Sequence, residues 1–339
     1  MEKILLTGAS GFIAGHCIID MLNHGYSVRG TVRDVSRGDR LKAFLATHTD
    51  HIDRLEFAAA DLTDADSWLA AAEGCDGILH VASPVPVVQP KNADEVIRPA
   101  REGTLNVLAA AKHHGISRVV LTSSTAAVMS SNRTSGDYTE DDWTDLGRTD
   151  LSPYVQSKTI AERAAWDFVA DNGGLTLSTV NPGLVLGPAL ESDYGSSLES
   201  LVLLMNSQYP MLPRIGFECV DVRDVASLHR LAYERPEAAG RRFLCTNGFR
   251  WLSDIANQIK REFPDYVDIP SREMPNWLVR IAAVFMAEVA QFAKDVNQVR
   301  SADNSPALAI GWQPRAVDEA IRDGAQSLIE HGIVSPKKK

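Results

Sequence analysis

The feature that most limits what this chain can become is its opening, Lys3-Ile-Leu-Leu-Thr-Gly-Ala-Ser-Gly-Phe-Ile-Ala-Gly15. The apolar run Ile4 to Leu6 predicts a buried strand that ends at Thr7. Gly8 and Gly11 come next at a three-residue spacing, then the small residues Ala14 and Gly15. Beyond them, Phe12, Ile13, Ile18, Ile19 and Leu22 recur at helical spacing. Strand, glycine turn and helix in that order predict the opening of a dinucleotide-binding βαβ unit. Glycine puts no Cβ between the backbone amides and a pyrophosphate. The helix start adds free N–H groups and the positive end of its dipole. The expected contacts of this turn are Thr7, Gly8, Ser10, Gly11, Phe12 and Ile13. The spacing departs from a plain G-x-G-x-x-G, so the remainder of the chain decides the matter.

Strands and helices go on alternating. Strands are expected at Tyr26–Arg33, Leu55–Asp61, Gly77–Ala82, Arg118–Ser124 and Leu175–Asn181. Helical stretches at Arg40–Thr47, Glu95–His114 and Tyr154–Ala170 fall between them, with a further helix capped by Thr63 or Asp64. Six near-continuous apolar strands separated by helices predict an α/β fold, a Rossmann-type doubly wound parallel sheet. After Pro182 the pattern loosens, and a helix around Asn276 to Val299 stands alone. The expected division is a dinucleotide-binding domain of residues 1–182 with returning segments at about 217–250. A smaller, partly discontinuous substrate lobe takes about 183–216 and 251–335. Such lobes sit over the C-terminal strand ends, where open sheets place ligands.

At 339 residues with 45% apolar and 23% charged content, the chain is long enough for a large buried core. A net charge of −10 argues against nucleic acid as a partner, since phosphate affinity needs clustered Lys and Arg. The Lys337–Lys339 run reads as a solvated tail. Four scattered cysteines (Cys17, Cys75, Cys219, Cys245) suit free thiols in a reducing cytosol, and no metal site is expected. The longest apolar stretch, Trp277 to Ala293, is broken by Arg280 and Glu288, so no membrane span is expected. The expectation is a cytoplasmic protein.

The second strand ends in Arg33, where an acidic residue would accept the ribose hydroxyls of NAD and an arginine pairs with a 2′-phosphate. NADP (NADPH) is therefore the expected cofactor, with Arg40 assisting. Asp61 and Leu62 close the third strand where an adenine would lie, though Asp61 equally serves as a helix cap. Ser123 and Ser124 end the fifth strand. Tyr154 and Lys158 come after them at i,i+4 on one helical face. An ammonium beside a phenol favours phenolate and lowers its pKa, which would let the tyrosine exchange a proton with a carbonyl or alcohol near neutral pH. His80, inside an apolar strand, reads as a satisfied core histidine. Asn106 reads as a helix side chain satisfied locally, with a role in a proton relay left open. Met205, Met211, Leu212, Phe217, Phe285 and Met286 line a substrate pocket or fill the small-lobe core, the commoner fate.

Thr7-Gly-Ala-Ser-Gly-Phe-Ile-Ala14, His80-Val-Ala-Ser-Pro84, Thr122-Ser-Ser-Thr125, Tyr154-Val-Gln-Ser-Lys-Thr-Ile-Ala-Glu-Arg-Ala-Ala-Trp166 and Asn181-Pro-Gly-Leu-Val-Leu-Gly-Pro188 resemble one family across nearly the whole chain. It is the extended short-chain dehydrogenase/reductases, in the subgroup of dihydroflavonol, cinnamoyl-CoA and yeast-type ketone/aldehyde reductases. The resemblance implies hydride transfer between nicotinamide C4 and a carbonyl carbon. It makes Tyr154 the proton donor, Lys158 the residue that binds the nicotinamide ribose and tunes the tyrosine, and Ser124, in preference to Ser123, the group that polarises the carbonyl. It also implies that Pro182 and Val185 line the carboxamide, that Ser197 reaches a phosphate, and that Val81, Ala82 and Ser83 pass the cofactor's middle. Met129 stands where the plant flavonoid reductases carry an asparagine, and the Ser130–Pro153 loop differs in content, which favours a hydrophobic ketone or aldehyde. Other readings on the same scaffold are a sugar-nucleotide epimerase or dehydratase, a hydroxysteroid dehydrogenase, or a non-catalytic NADP sensor. A small-molecule partner is expected in the enzymatic readings, and the chain as monomer or homodimer.

Overall fold

The alternating pattern builds a seven-stranded parallel sheet in the computed structural model, which describes residues 1–85, 90, 92–131, 133, 136–192, 194–208, 210–279 and 295–336. Its first half runs β1 (Lys3–Leu6), α1 (Phe12–Asn23), β2 (Ser27–Val32), α2 (Gly38–Leu45), β3 (Leu55–Ala59), α3 (Ala65–Ala72), β4 (Gly77–His80), α4 (Asp94–His113) and β5 (Arg118–Thr122). Then come β6 (Gly136–Tyr138), α5 (Pro153–Asn172), β7 (Thr176–Pro182), β8 (Leu184–Leu186), α6 (Glu199–Met205), β9 (Gly216–Asp221), α7 (Val222–Glu234) and β10 (Arg242–Cys245). The described elements end with β11 (Phe249–Trp251), α8 (Leu252–Glu262), β12 (Arg300–Ala302), α9 (Ser305–Ala309) and α10 (Val317–Glu330).

The sheet order is β3-β2-β1-β4-β5-β7-β10. Ile4 sits between Val28 of β2 and Gly77 of β4, so the direction of winding reverses between β1 and β4. That reversal opens a crevice at the C-terminal strand ends. The sheet has seven strands where the sequence pattern gives six. The seventh, β10, comes from Arg-Phe-Leu-Cys, a four-residue segment inside the returning stretch, pairing with β7. It is too short and too charged at its start for an apolar-run criterion to find.

Local chemistry sets the element ends that matter. β4 and β5 stop at His80 and Thr122, leaving Val81–Ser83 and Ser123–Ser124 as the exits that face the crevice. Helix α5 starts on Ser152, whose hydroxyl accepts the Val155 N–H at 3.3 Å, with Pro153 in its first turn. This start puts Tyr154 in the first turn, next to the Ser124 exit. Asp64 caps α3 by accepting from Asp66 and Ser67. Two further sheets, β11-β9-β8 and β12-β6, lie beyond the main one. One apolar cluster packs α1 and α7 on the sheet, and another joins α6, α8 and α10. The helix expected around Asn276 to Val299, with Phe285 and Met286, falls largely on 280–294, outside the described residues. The Lys337–Lys339 tail lies outside them too. No described helix is long and apolar enough to cross a membrane.

Candidate active site

The glycine turn is built for close approach. Gly8 has φ +72°, and a Cβ there would lie 3.0 Å from the Ala82 Cβ and 3.1 Å from its Cα. The turn is closed by Gly11 N–H on Gly8 O at 2.9 Å and tied to β2 by Gly8 N–H on the Thr31 hydroxyl at 3.1 Å. α1 starts at Phe12 with no side chain capping its first amides, and Ser10 and Gly11 are exposed. Those amides face the crevice as an anion cradle. Thr7 works from behind. It is fully buried, its hydroxyl accepts Val81 N–H and Ala82 N–H at 2.9 Å each, and it lies 2.8 Å from His80 Nδ1. With both amides given to Thr7 Oγ1, the hydroxyl proton goes to His80 Nδ1. Burial pushes His80 down to about 3, so the ring is neutral and accepts it.

A cavity of about 450 Å³ opens beyond the turn, lined by Ser10, Arg33, Arg37, Arg40, Glu191 and Ser192 among others. Arg33 and Arg40 are exposed at its wall. Arg37, from the short turn before α2, joins them, and the sequence reading missed it although three arginines within eight residues were visible. Asp34, capping that turn, accepts the Ser36 N–H at 2.9 Å. Asp61 accepts from the Thr63 N–H and hydroxyl at 2.9 and 2.7 Å, and those bonds, with Arg33 nearby, hold its carboxyl below the usual range. Leu62 is wedged against Gly103, and its carbonyl accepts the Asn106 amide at 3.0 Å, so that amide is satisfied locally.

A second cavity, also about 450 Å³, has Ser124, Met129, Tyr154, Val185 and Ser197 in its wall. Ser124 caps the turn Thr125–Ala127, its oxygen accepting the Ala126 N–H at 3.1 Å, and it hydrogen-bonds Tyr154. Its proton is thereby left to donate toward the phenol or a bound oxygen. Ser123 turns the other way, donating to Glu162 Oε2 at 2.5 Å. Lys158, 6% exposed, lies one turn along α5 from Tyr154 and lines a small cavity with Ala82, Ser83 and Glu162. Burial lowers Lys158 to about 8, with Glu162 pulling the other way. Tyr154 corrects an expectation: burial raises its phenol, and the lowering comes from Ser124 rather than from the lysine. The reason is desolvation, which opposes the anion more strongly than the hydroxyl favours it. Pro182 ends β7 fully within the sheet, paired with Cys245.

The remaining wall mixes characters. Leu184, Ile215, Phe217 and Phe249 supply apolar surface, while Glu218, Gln298 and Arg300 supply polar groups that the sequence did not single out. Of the proposed pocket residues that are described, only Phe217 lines this cavity. Met205 and Leu212 are buried in the small-lobe core. Among the described residues no group of three His, Cys, Asp or Glu is placed to hold a metal ion.

The same framework recurs in known proteins. The family model described as "NAD dependent epimerase/dehydratase family" matches residues 4–245. Cinnamoyl-CoA reductase 1 of Petunia hybrida is 36% identical over 275 residues, 80% of each chain. Tetraketide alpha-pyrone reductase 1 of Arabidopsis thaliana is 32% identical and covers 98% of this chain and 97% of its own. Among solved structures, yeast methylglyoxal/isovaleraldehyde reductase Gre2, complexed with NADPH, superposes with a TM-score of 0.81 at 25% identity, covering 98% of this chain and 100% of that one.

Proposed function

The chain belongs to the NAD dependent epimerase/dehydratase family, the extended short-chain dehydrogenase/reductases, and from that premise we propose that it is an NADPH-dependent reductase of ketones or aldehydes. The observation that carries this is the pair Ser124 and Tyr154 in the wall of one cavity, with Lys158 one turn along α5 in a smaller cavity shared with Ala82 and Ser83, the strand exit packed against the glycine turn and its open amides. The crevice fits a dinucleotide: Gly8 leaves the room a Cβ would fill, and three guanidiniums ring the cavity where a 2′-phosphate would sit. Gly8, Ser10, Gly11, Phe12 and Ile13 would hold the pyrophosphate. Arg33, Arg37 and Arg40 would hold the 2′-phosphate, with Asp61 and Leu62 toward the adenine and Val81–Ser83 toward the cofactor's middle. Pro182, Val185 and Ser197 would serve the nicotinamide end, and Thr7 braces the cradle.

When bound, NADPH supplies the hydride that reduces the carbonyl carbon. Ser124 donates to the carbonyl oxygen and orients it toward Tyr154. Tyr154, which burial keeps protonated, gives its proton to the same oxygen as negative charge develops there. Lys158, one helical turn along α5, would hold the nicotinamide ribose, while the Ser124 hydroxyl favours the tyrosinate left behind. The product is an alcohol. Met129, Ile215, Phe217 and Phe249 favour a substrate with an apolar body. The division into domains 1–182 with about 217–250, and a lobe of about 183–216 and 251–335, is supported by the separate apolar cluster of the second unit. Four buried free cysteines support a cytoplasmic setting.

The test is loss of reduced-nicotinamide absorbance when NADPH, and separately NADH, is mixed with the protein and a panel of aryl and aliphatic ketones and aldehydes. Turnover favouring NADPH supports the reading. Tight NADPH binding with no turnover on any carbonyl refutes it, leaving the epimerase or sensor alternatives.

A further inference from the structure

Behind the Ser124–Tyr154–Lys158 constellation lies a buried carboxylate that the proposed chemistry does not touch. Glu162 is 1% exposed and sits one helical turn beyond Lys158 on α5. Its Oε1 accepts from Arg242 Nε at 2.7 Å, from the Thr179 hydroxyl at 3.0 Å and from Trp166 Nε1 at 3.4 Å. Its Oε2 accepts from the Ser123 hydroxyl at 2.5 Å and the Asn181 amide at 2.8 Å. A protonated carboxyl would set a hydrogen against one of these donors, so the arrangement suits an ionised group. The same Asn181 amide reaches the Ser124 carbonyl at 3.3 Å. Lys158 and Glu162 line one small cavity without a direct ion pair, so the lysine feels the charge across space.

We propose that Glu162 is a positioning residue whose buried charge keeps Lys158 an ammonium and, through Ser123 and Asn181, fixes the strand end that presents Ser124. The proposal rests on the reductase reading above. Burial draws Lys158 down and Glu162 opposes that pull, the balance falling at about 8. Tyr154 lies one turn back on the same helix, His80 at the end of β4 feels the Lys158 charge, Thr122 of the same small cavity is bonded to His229 of α7, and Glu162 to Arg242 of β10. Both histidines are held neutral by burial. Glu162 is therefore the negative charge that faces the lysine from this side.

The experiment is the pH profile of kcat/KM for NADPH-dependent reduction in the whole protein, with Glu162→Gln, Glu162→Asp and the Glu162→Gln/Arg242→Met pair. The double variant keeps the question open should the single one fail to fold, because it removes the buried cation along with its partner. The alkaline limb is expected to move down by on the order of one pH unit in both glutamine variants. It is expected to stay near wild type in the aspartate variant. An unmoved limb in a folded glutamine variant overturns the proposal. NMR titration of ε-carbon-labelled lysine, with Lys158→Met to assign the signal, reads the same shift without turnover. Absence of carbonyl reduction by the wild type thus refutes the reductase reading, whereas an unmoved Lys158 titration refutes this one.

Discussion

Replacing Arg37 by Ala tests the cofactor assignment at the residue the sequence reading missed. Arg33, Arg37 and Arg40 share the wall of one cavity of about 450 Å³ with Glu191 and Ser192. A 2′-phosphate there would take charge-assisted hydrogen bonds worth roughly 1.5–3 kcal/mol each when well shielded. Arg37 is exposed, so solvent screening takes it to the lower end, about 1–1.5 kcal/mol. That is roughly a 10-fold rise in the Kd for NADPH. NADH, lacking the phosphate, should change by less than about 2-fold, because the loss is confined to one charged group. Titration calorimetry with each cofactor measures both, and repeating it at high salt should shrink the NADPH gap as the Debye length falls below about 5 Å. Equal losses for NADPH and NADH, or none for NADPH, would show that Arg37 does not meet a phosphate.

Tyr154→Phe should lower the rate of carbonyl reduction by on the order of 10²–10⁴ while leaving the NADPH Kd within about 2-fold, as steady-state rates and cofactor titration would show. Gly8→Ala places a side chain at φ +72° and 3.1 Å from the Ala82 Cα; thermal melts should register a loss of roughly 1–2 kcal/mol, with NADPH affinity falling as well. Acid should weaken the fold through His229, whose folded pKa is lowered to about 4 by burial. Its Nδ1–H donates to Val225 O at 2.7 Å and its Nε2 accepts from the Thr122 hydroxyl at 2.6 Å, a pattern that needs the neutral ring. The unfolded chain binds that proton near the ordinary value of about 6.5, so between there and about 4 the unfolded state holds more protons and stability falls as pH drops, by up to about 3 kcal/mol. Melting curves across that window should show a smaller acid loss in His229→Gln; an identical slope would refute the linkage.

What was legible in the sequence was what depends on short, periodic signals. The Lys3–Gly15 opening, the apolar strands and the Tyr154–Lys158 spacing each state their geometry within a few residues, and the sheet and crevice result from them. What escaped depends on distant partners. Strand β10 becomes a strand because Phe243 pairs beside Val180, sixty-three positions earlier in the chain. The role of Glu162 comes from Arg242, Thr179 and Asn181, which converge on it from β10 and β7. The phenol of Tyr154 was misjudged for a related reason: i,i+4 spacing gives its distance from Lys158, whereas its pKa is governed by burial that only the assembled cleft supplies. The polar side of the cleft, Glu218 and Arg300, was hidden because its strands come from the least patterned part of the chain.

Arg242 gives the site an order of assembly. Besides meeting Glu162, it donates to the Glu140 and Asp142 carbonyls at 2.6 and 2.7 Å and lies 3.7 Å from the centre of the Trp143 ring. Glu162 is synthesised 80 residues earlier, a delay of roughly 4–16 s at 5–20 residues per second. Throughout that interval the helix that carries Tyr154 and Lys158 has a carboxylate without its cation, and burying it then would cost several kcal/mol. The nascent chain can form the first βα units early. The serine–tyrosine end of the cleft closes only when the last strand of the sheet arrives.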